Sequence, residues 1–201
     1  MSGFYEQTKG IYRLRVPFEN IYTSVFLITE KRDKILVDCG TTNYDVDSVI
    51  LPALSEIGYT LSDLNMLVLT HNHRDHAGGL VRIREIIPSI EVVTGISVLA
   101  DKISTYALSG HTEDSIGILD ERTGTLISGD GLQGAGVDKY RCYTKHPDKY
   151  IETLEKLKND ERIENIFFSH AYEPWNTDAV FGREKVIDCL NECKKYIGDK
   201  T

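Results

Sequence analysis

The chain has 201 residues, 41% hydrophobic and 27% charged, which is the balance of an ordinary globular domain and excludes disordered, collagenous and coiled-coil classes. A single domain of this length buries roughly 70% of its unfolded surface, so folding alone requires neither disulfides nor a structural metal. The net charge of −8 argues against nonspecific binding to nucleic acid or to anionic membranes, where a basic face is the usual footprint.

The first forty residues read as β structure. Ile11 to Val16 alternates in the manner of a strand, Ile21 to Thr29 is β-branched and aromatic, and Lys34 to Asp38 runs into a Cys39-Gly40 turn. Arg32-Asp33 suits a hairpin tip. A helix is expected from Asp45 to Ile57, with Val46, Val49, Ile50, Leu54 and Ile57 on one face. Pro52 should kink it or delay its start, and Gly58 should stop it. Asn65 to Leu69 is a short buried strand, followed by a helix from His76 to Ile87 that Pro88 closes. Strands are expected at Ile90–Thr94, Ile103–Leu108, Ser115–Leu119 and Thr125–Ser128. A long loop spans Gly131 to His146. Pro147 to Leu157 is a helix with Tyr150, Ile151, Leu154 and Leu157 as its stripe, Glu164 to Ser169 a strand, and Arg183 to Tyr196 the last helix. This order suits two packed sheets with helices outside, in one α+β domain over residues 1–201.

The N-terminus lacks the apolar core of a signal peptide, and no apolar run is long enough for a membrane helix. The expected compartment is therefore cytoplasmic. Cys39, Cys142, Cys189 and Cys193 form no CxxC pair or zinc-finger spacing and read as reduced, buried thiols.

Three of the six histidines fall within six residues, His71-Asn72-His73-Arg74-Asp75-His76, between a buried strand and a helix. In an extended turn His71 and His73 point the same way and can grip one cation. Asp75 and His76, at the helix start, can face a second point nearby. Imidazole and carboxylate together suit zinc, or iron or manganese. Further donors follow other strands: His111 in Ser109-Gly110-His111-Thr112, Asp130 in Ser128-Gly129-Asp130-Gly131, and His170 in Ser169-His170-Ala171. Taken singly, His111 and His170 are ordinary histidines and Gly129-Asp130 an ordinary turn. Taken together, they read as a metal centre built from strand ends.

These motifs, in this order, resemble those of the metallo-β-lactamase superfamily. Thr70-His71-Asn72-His73-Arg74-Asp75-His76-Ala77-Gly78-Gly79 is similar to its signature, Asp38 to its first-motif aspartate, Gly110-His111-Thr112 to the third motif, Gly129-Asp130 to the fourth and Ser169-His170 to the fifth. The resemblance implies a four-layer αβ/βα sandwich and two divalent metals, zinc first, with iron or manganese as alternatives. One would be held by His71, His73 and His111, the other by Asp75, His76 and His170, with Asp130 bridging. Two such metals share a water and lower its pKa from 15.7 toward 7, which makes hydroxide the nucleophile. Asp75 and Asp130 are then the catalytic carboxylates, Asp75 orienting the hydroxide or passing a proton.

His73 stands where the oxygen-reducing diiron branch has glutamate, so hydrolysis is favoured. The expected reaction is cleavage of a small-molecule ester, thioester or lactone. The alternatives are a phosphodiesterase and a mono-iron sulfur dioxygenase. His111 follows His76 by only 35 positions, shorter than is common in the family, which leaves room for a partner subunit in a homodimer to complete the cleft. Only 31 residues follow His170, so the resemblance is to a glyoxalase II-like or lactonase-like branch without the glyoxalase II C-terminal domain. Substrate-binding candidates lie on neighbouring loops: Arg141, Tyr143, Lys145 and His146, and Tyr172. Arg141, Lys145 and His146, with Lys139, form a basic cluster in an acidic chain and suit an anionic group on the substrate.

Overall fold

The computed structural model describes residues 3–132, 144–172 and 177–198. The chain divides into two compact units, Met1–Thr94 and Gly95–Thr201.

The first unit is a six-stranded mixed sheet in the order β1-β2-β3-β4-β5-β6: β1 (Tyr5–Thr8), β2 (Ile11–Phe18), β3 (Ile21–Glu30), β4 (Asp33–Val37), β5 (Met66–Val68) and β6 (Glu91–Val93). The first four strands pair antiparallel through short turns, whereas β4–β5 and β5–β6 are parallel and need crossovers. The crossover helices supply the core. Leu14, Val16, Leu27, Leu36 and Leu67 on one face of the sheet pack with Val46, Ile50, Leu54 and Ile83. The alternating residues Phe26, Ile28, Ile35, Val37 and Val68 are buried as well. That double burial explains why β3 and β4 read as nearly continuous apolar runs.

The expected helix after β4 is not delayed in its start by Pro52. It begins as α1 (Asn43–Asp45), passes through a π turn (Val46–Ile50) and continues as α2 (Leu51–Glu56). Proline offers no N–H, and its ring clashes with the carbonyl four residues back. In the wider turn the Leu51 N–H donates to Val46 O, five residues back, and Pro52 then sits in the first turn of α2. The helix expected from His76 to Ile87 is two: α3 (Arg74–Ala77) and α4 (Leu80–Ile86), parted by Gly78 and Gly79. A Cβ on Gly78 would lie 1.9 Å from Thr41 O and one on Gly79 2.3 Å from Cys39 O. The glycines are there because backbone crosses backbone at this point.

The second unit is also a six-stranded mixed sheet, ordered β12-β11-β10-β9-β8-β7. Its strands are β7 (Val98–Ala100), β8 (Ile103–Ala107), β9 (Ile116–Asp120), β10 (Thr125–Ile127), β11 (Asn165–Tyr172) and β12 (Thr177–Phe181). All neighbours are antiparallel except β10–β11, which α5 (Pro147–Asn159) connects. Helices α5 and α6 (Arg183–Gly198) cover one face. Leu119, Leu126, Ile166 and Phe168 of the sheet meet Tyr150, Leu154, Leu157, Val186 and Leu190. Strands β1, β7 and β12 are too short or too polar to stand out in the sequence. Cys39, Cys189 and Cys193 are buried thiols outside any disulfide among the described residues, and Cys142 lies outside the described residues. Among the described residues no helix is long and apolar enough to cross a membrane.

Candidate metal centre

In the first unit the donors are carried by the turn that leaves β5 and by α3. Asp38, directly after β4, organises that turn. Its Oδ1 accepts from the Thr70 backbone N–H (2.8 Å), and its Oδ2 accepts from the Thr70 hydroxyl (2.9 Å) and from His76 Nδ1 (2.7 Å). Asp38 is fully buried and held at φ +61°, a conformation that asparagine and aspartate tolerate better than most residues. Three hydrogen bonds to one carboxylate offset that backbone cost. The neighbouring Cys39 N–H and Sγ both contact His76 O (2.8 and 3.3 Å), which ties α3 to the end of β4.

This framework sets which ring nitrogens face one another. His76 spends Nδ1 on Asp38 and turns Nε2 to Asp75 Oδ2 at 3.2 Å. His71 places Nδ1 3.1 Å from the Thr70 hydroxyl, and its Nε2 lies 3.0 Å from His73 Nδ1. The Thr23 hydroxyl, on β3, donates to Asp75 Oδ2 (3.1 Å). His71 and His76 are buried, while His73 and Asp75 are half-buried.

In the second unit two turns and a strand supply the donors. His111 sits between β8 and β9, where the Leu108 N–H donates to Ser115 O and the Gly110 N–H to Thr112 O. Gly110 has φ +155°, and a Cβ there would come within 3.0 Å of three Tyr150 atoms. Helix α5 anchors the same turn, with the His146 N–H donating to Gly110 O (3.0 Å) and the Thr153 hydroxyl to Ser109 O (2.9 Å). Asp130 lies in the single 3₁₀ turn Gly129–Gly131 after β10. The sequence pattern puts His170 beyond its strand, but it lies inside β11, where the pairing with β12 shifts register between Phe167 and Tyr172. Such an irregularity re-aims a side chain without ending the strand. The Asp130 carboxylate faces both imidazoles, with Oδ1 3.2 Å from His170 Nε2 and Oδ2 3.7 Å from His111 Nε2. All three residues are buried.

Each donor set fits a borderline divalent ion. Two ligand nitrogens on a tetrahedral zinc stand roughly 3.3 Å apart, given bonds of 2.0–2.1 Å. The His71–His73 and His170–Asp130 separations match this spacing. Imidazole nitrogens at such distances share either one proton or one cation. His76 and His71 also have the kind of outer partner that a metal-bound imidazole needs, Asp38 and Thr70 respectively.

Of the expected substrate-binding residues, Lys145 is exposed and His146 half-buried at the start of α5. Arg141 and Tyr143, with Lys139, lie outside the described residues, as does the side chain of Tyr172, which ends β11. Thr23, Tyr150 and Thr153 carry no signal of their role in the sequence. Thr23 lies 52 positions from the carboxylate it holds, and no local pattern marks it.

A model of the metallo-beta-lactamase superfamily matches residues 20–93, the segment from β3 through the histidine cluster to β6. Hydroxyacylglutathione hydrolase 1 of Vibrio vulnificus is 27% identical over 165 residues, 74% of this chain and 62% of that protein. Beta-lactamase-like protein 2 homolog of Caenorhabditis elegans is 26% identical over 177 residues, 77% of this chain and 58% of that protein. The chain thus spans less than two thirds of the length of either relative. Among solved structures, the metallo-beta-lactamase FIM-1 from Pseudomonas aeruginosa, in its mono-zinc form, superposes with a TM-score of 0.74 at 15% identity, over 98% of this chain and 95% of that one. A metallo beta lactamase from Erythrobacter litoralis gives a TM-score of 0.67 at 16% identity, over 94% and 96% of the two chains. These likenesses establish the fold, of the α+β class. The family match takes in the His71–His76 turn, and the similarity to the relatives extends beyond the matched segment.

Proposed function

We propose that the chain is a metal-dependent hydrolase that cleaves a small-molecule ester, thioester or lactone. In this reading His71, His73 and His111 hold one divalent ion and Asp75, His76 and His170 a second, with Asp130 common to both. Zinc is the first choice for an imidazole- and carboxylate-rich set, ahead of iron and manganese. Such a pair, when bound, supplies a water acidified to near neutrality and a Lewis acid for the attacked carbonyl. The observation that carries the reading is the Asp130 carboxylate, which turns one oxygen to each of two buried imidazoles, an arrangement open to a shared ligand.

The protein's own groups do the rest. Asp75 sits at the half-buried rim with Oδ2 fixed by Thr23, so it can take a proton and release it to a leaving group. His76 is immobilised by Asp38 and keeps Asp75 in place. Lys145 and Arg141 suit an anionic part of the substrate, so replacing both with neutral residues should raise KM with little change in kcat. An unchanged KM removes that role from them.

The test is elemental analysis of the purified protein, followed by a panel of thioesters, lactones and bis(p-nitrophenyl) phosphate. About two zinc or manganese ions per chain with thioester or lactone turnover supports the proposal. Turnover of the phosphodiester alone moves the reaction to phosphoryl transfer. One iron per chain with persulfide-dependent oxygen uptake replaces hydrolysis with sulfur oxidation.

A further inference from the structure

The Thr70 hydroxyl is the point where the two buried histidines of the first unit meet their common carboxylate. It lies 2.9 Å from Asp38 Oδ2, 3.1 Å from His71 Nδ1 and 3.4 Å from His76 Nδ1. A hydroxyl has one proton to give and two lone pairs to receive with. An ionised carboxylate only accepts, so the Thr70 proton goes to Asp38. Toward His71 the same oxygen can then only accept. His71 must place its proton on Nδ1, and Nε2 keeps its lone pair. His76 reaches the same tautomer directly, because its Nδ1 donates to Asp38 Oδ2 at 2.7 Å.

We propose that Thr70 is a positioning residue that fixes the tautomer of His71, with Asp38 setting both imidazoles through one carboxylate. Through its 3.1 Å contact with His71 Nδ1, Thr70 relays to that ring the polarity that His76 receives from Asp38 at first hand. The lock has a geometric partner. His71 Nε2, the nitrogen left with its lone pair, is the one aimed at His73 Nδ1 across 3.0 Å, and the ring centroids stand 4.6 Å apart at 77°. The buried position of Thr70 and its backbone N–H bond to Asp38 Oδ1 hold the hydroxyl on this line. A valine would keep the shape and remove the relay. A serine would keep the relay.

The inference rests on the metal-centre reading for its purpose, but its test does not. In the metal-free full chain, labelled with ¹⁵N in the imidazoles and held above the usual histidine pKa, long-range ¹H–¹⁵N spectra should show Nδ1–H on both His71 and His76. A His71 proton on Nε2 in the unaltered chain overturns the proposal without any variant. Thr70→Val should return His71 to a mixture of tautomers and weaken zinc binding about 10- to 100-fold in competition with a chromophoric chelator, the usual cost of losing an outer partner. Thr70→Ser should restore both. A valine variant with the original tautomer and zinc affinity also overturns it. An unaltered chain with His71 Nδ1–H that takes up no zinc supports the tautomer lock and overturns the metal reading instead.

Discussion

Single residues at the crossing of β4 and α3 bear the tightest constraints. A Cβ on Gly79 would meet Cys39 O at 2.3 Å and Val46 Cγ2 at 2.5 Å, and neither backbone nor a core valine can retreat cheaply. Gly79→Ala should therefore cost about 1–3 kcal/mol in chemical denaturation, the range of an overpacked core. Cys39 offers a second check. Burial, then the nearby Asp38 carboxylate, pushes its thiol up to about 12. At pH 8 that leaves about one thiol in ten thousand ionised, so iodoacetamide should spare Cys39 in the folded chain and label it in denaturant. At this scale the sequence is most informative about the donors themselves. Three histidines and an aspartate within six positions point to a cation far more readily than to any packing role. What the sequence hides are the residues that aim them, such as Thr23 and Tyr150, because a hydroxyl or a packing ring takes its meaning from a partner far along the chain.

At the level of elements, the ends of helices and strands do most of the positioning. Arg183, at the start of α6, donates to the carbonyls of Lys158 (2.6 Å), Ile163 (3.0 Å) and Leu157 (3.4 Å), which closes the end of α5. The carbonyls of a helix's last turn otherwise lack intrahelical partners. Arg183→Ala should destabilise the chain by about 1.5–3 kcal/mol in thermal or urea unfolding, the range for hydrogen bonds to a charged donor. The start of α5 matters differently. Gly110→Ala would press on Tyr150 and displace the His111 turn. The expected result is a metal content reduced toward one ion per chain, read by elemental analysis, with the far-ultraviolet circular dichroism unchanged.

Helices are legible in the sequence by their apolar stripes: α5 carries the expected face, Tyr150–Leu154–Leu157, and α6 buries Val186, Leu190 and Cys193 at the same helical spacing. The elements that depart from expectation share one cause, since local pattern does not carry tertiary contact. Pro52 is absorbed by a π turn because Val46 and Ile50 on that turn are buried in the core. Gly78-Gly79 splits a helix that periodicity joins, because another stretch of backbone passes there. The bulged pairing that keeps His170 inside β11 depends on β12, a strand of five residues with little to announce it.

For the molecule as a whole, the donor motifs are legible because most of them stand where a strand ends: Asp38 after β4, the His71–His76 turn after β5, His111 after β8 and Asp130 after β10. Metal held by the proposed ligands binds the folded chain and not the unfolded one, so it should raise stability. Removing it with a chelator should lower Tm, by an amount that grows with the logarithm of free metal when metal is returned. An unaltered Tm would mean that the ions bind elsewhere or not at all.

The strand order has a consequence for how such a chain comes to be folded. In the first sheet every neighbour in space is also the neighbour in sequence, from β1 through β6, and the second sheet runs in the same unbroken manner from β7 through β12. No strand has to be inserted between two already paired. Each can be laid onto an exposed edge as it leaves the ribosome, and the loops to be closed stay short apart from the helical crossovers. The early edge at β4 stays open until β5 arrives, and with β5 comes the His71–His76 turn. The histidine turn of the first unit can thus be in place while the second is still being synthesised.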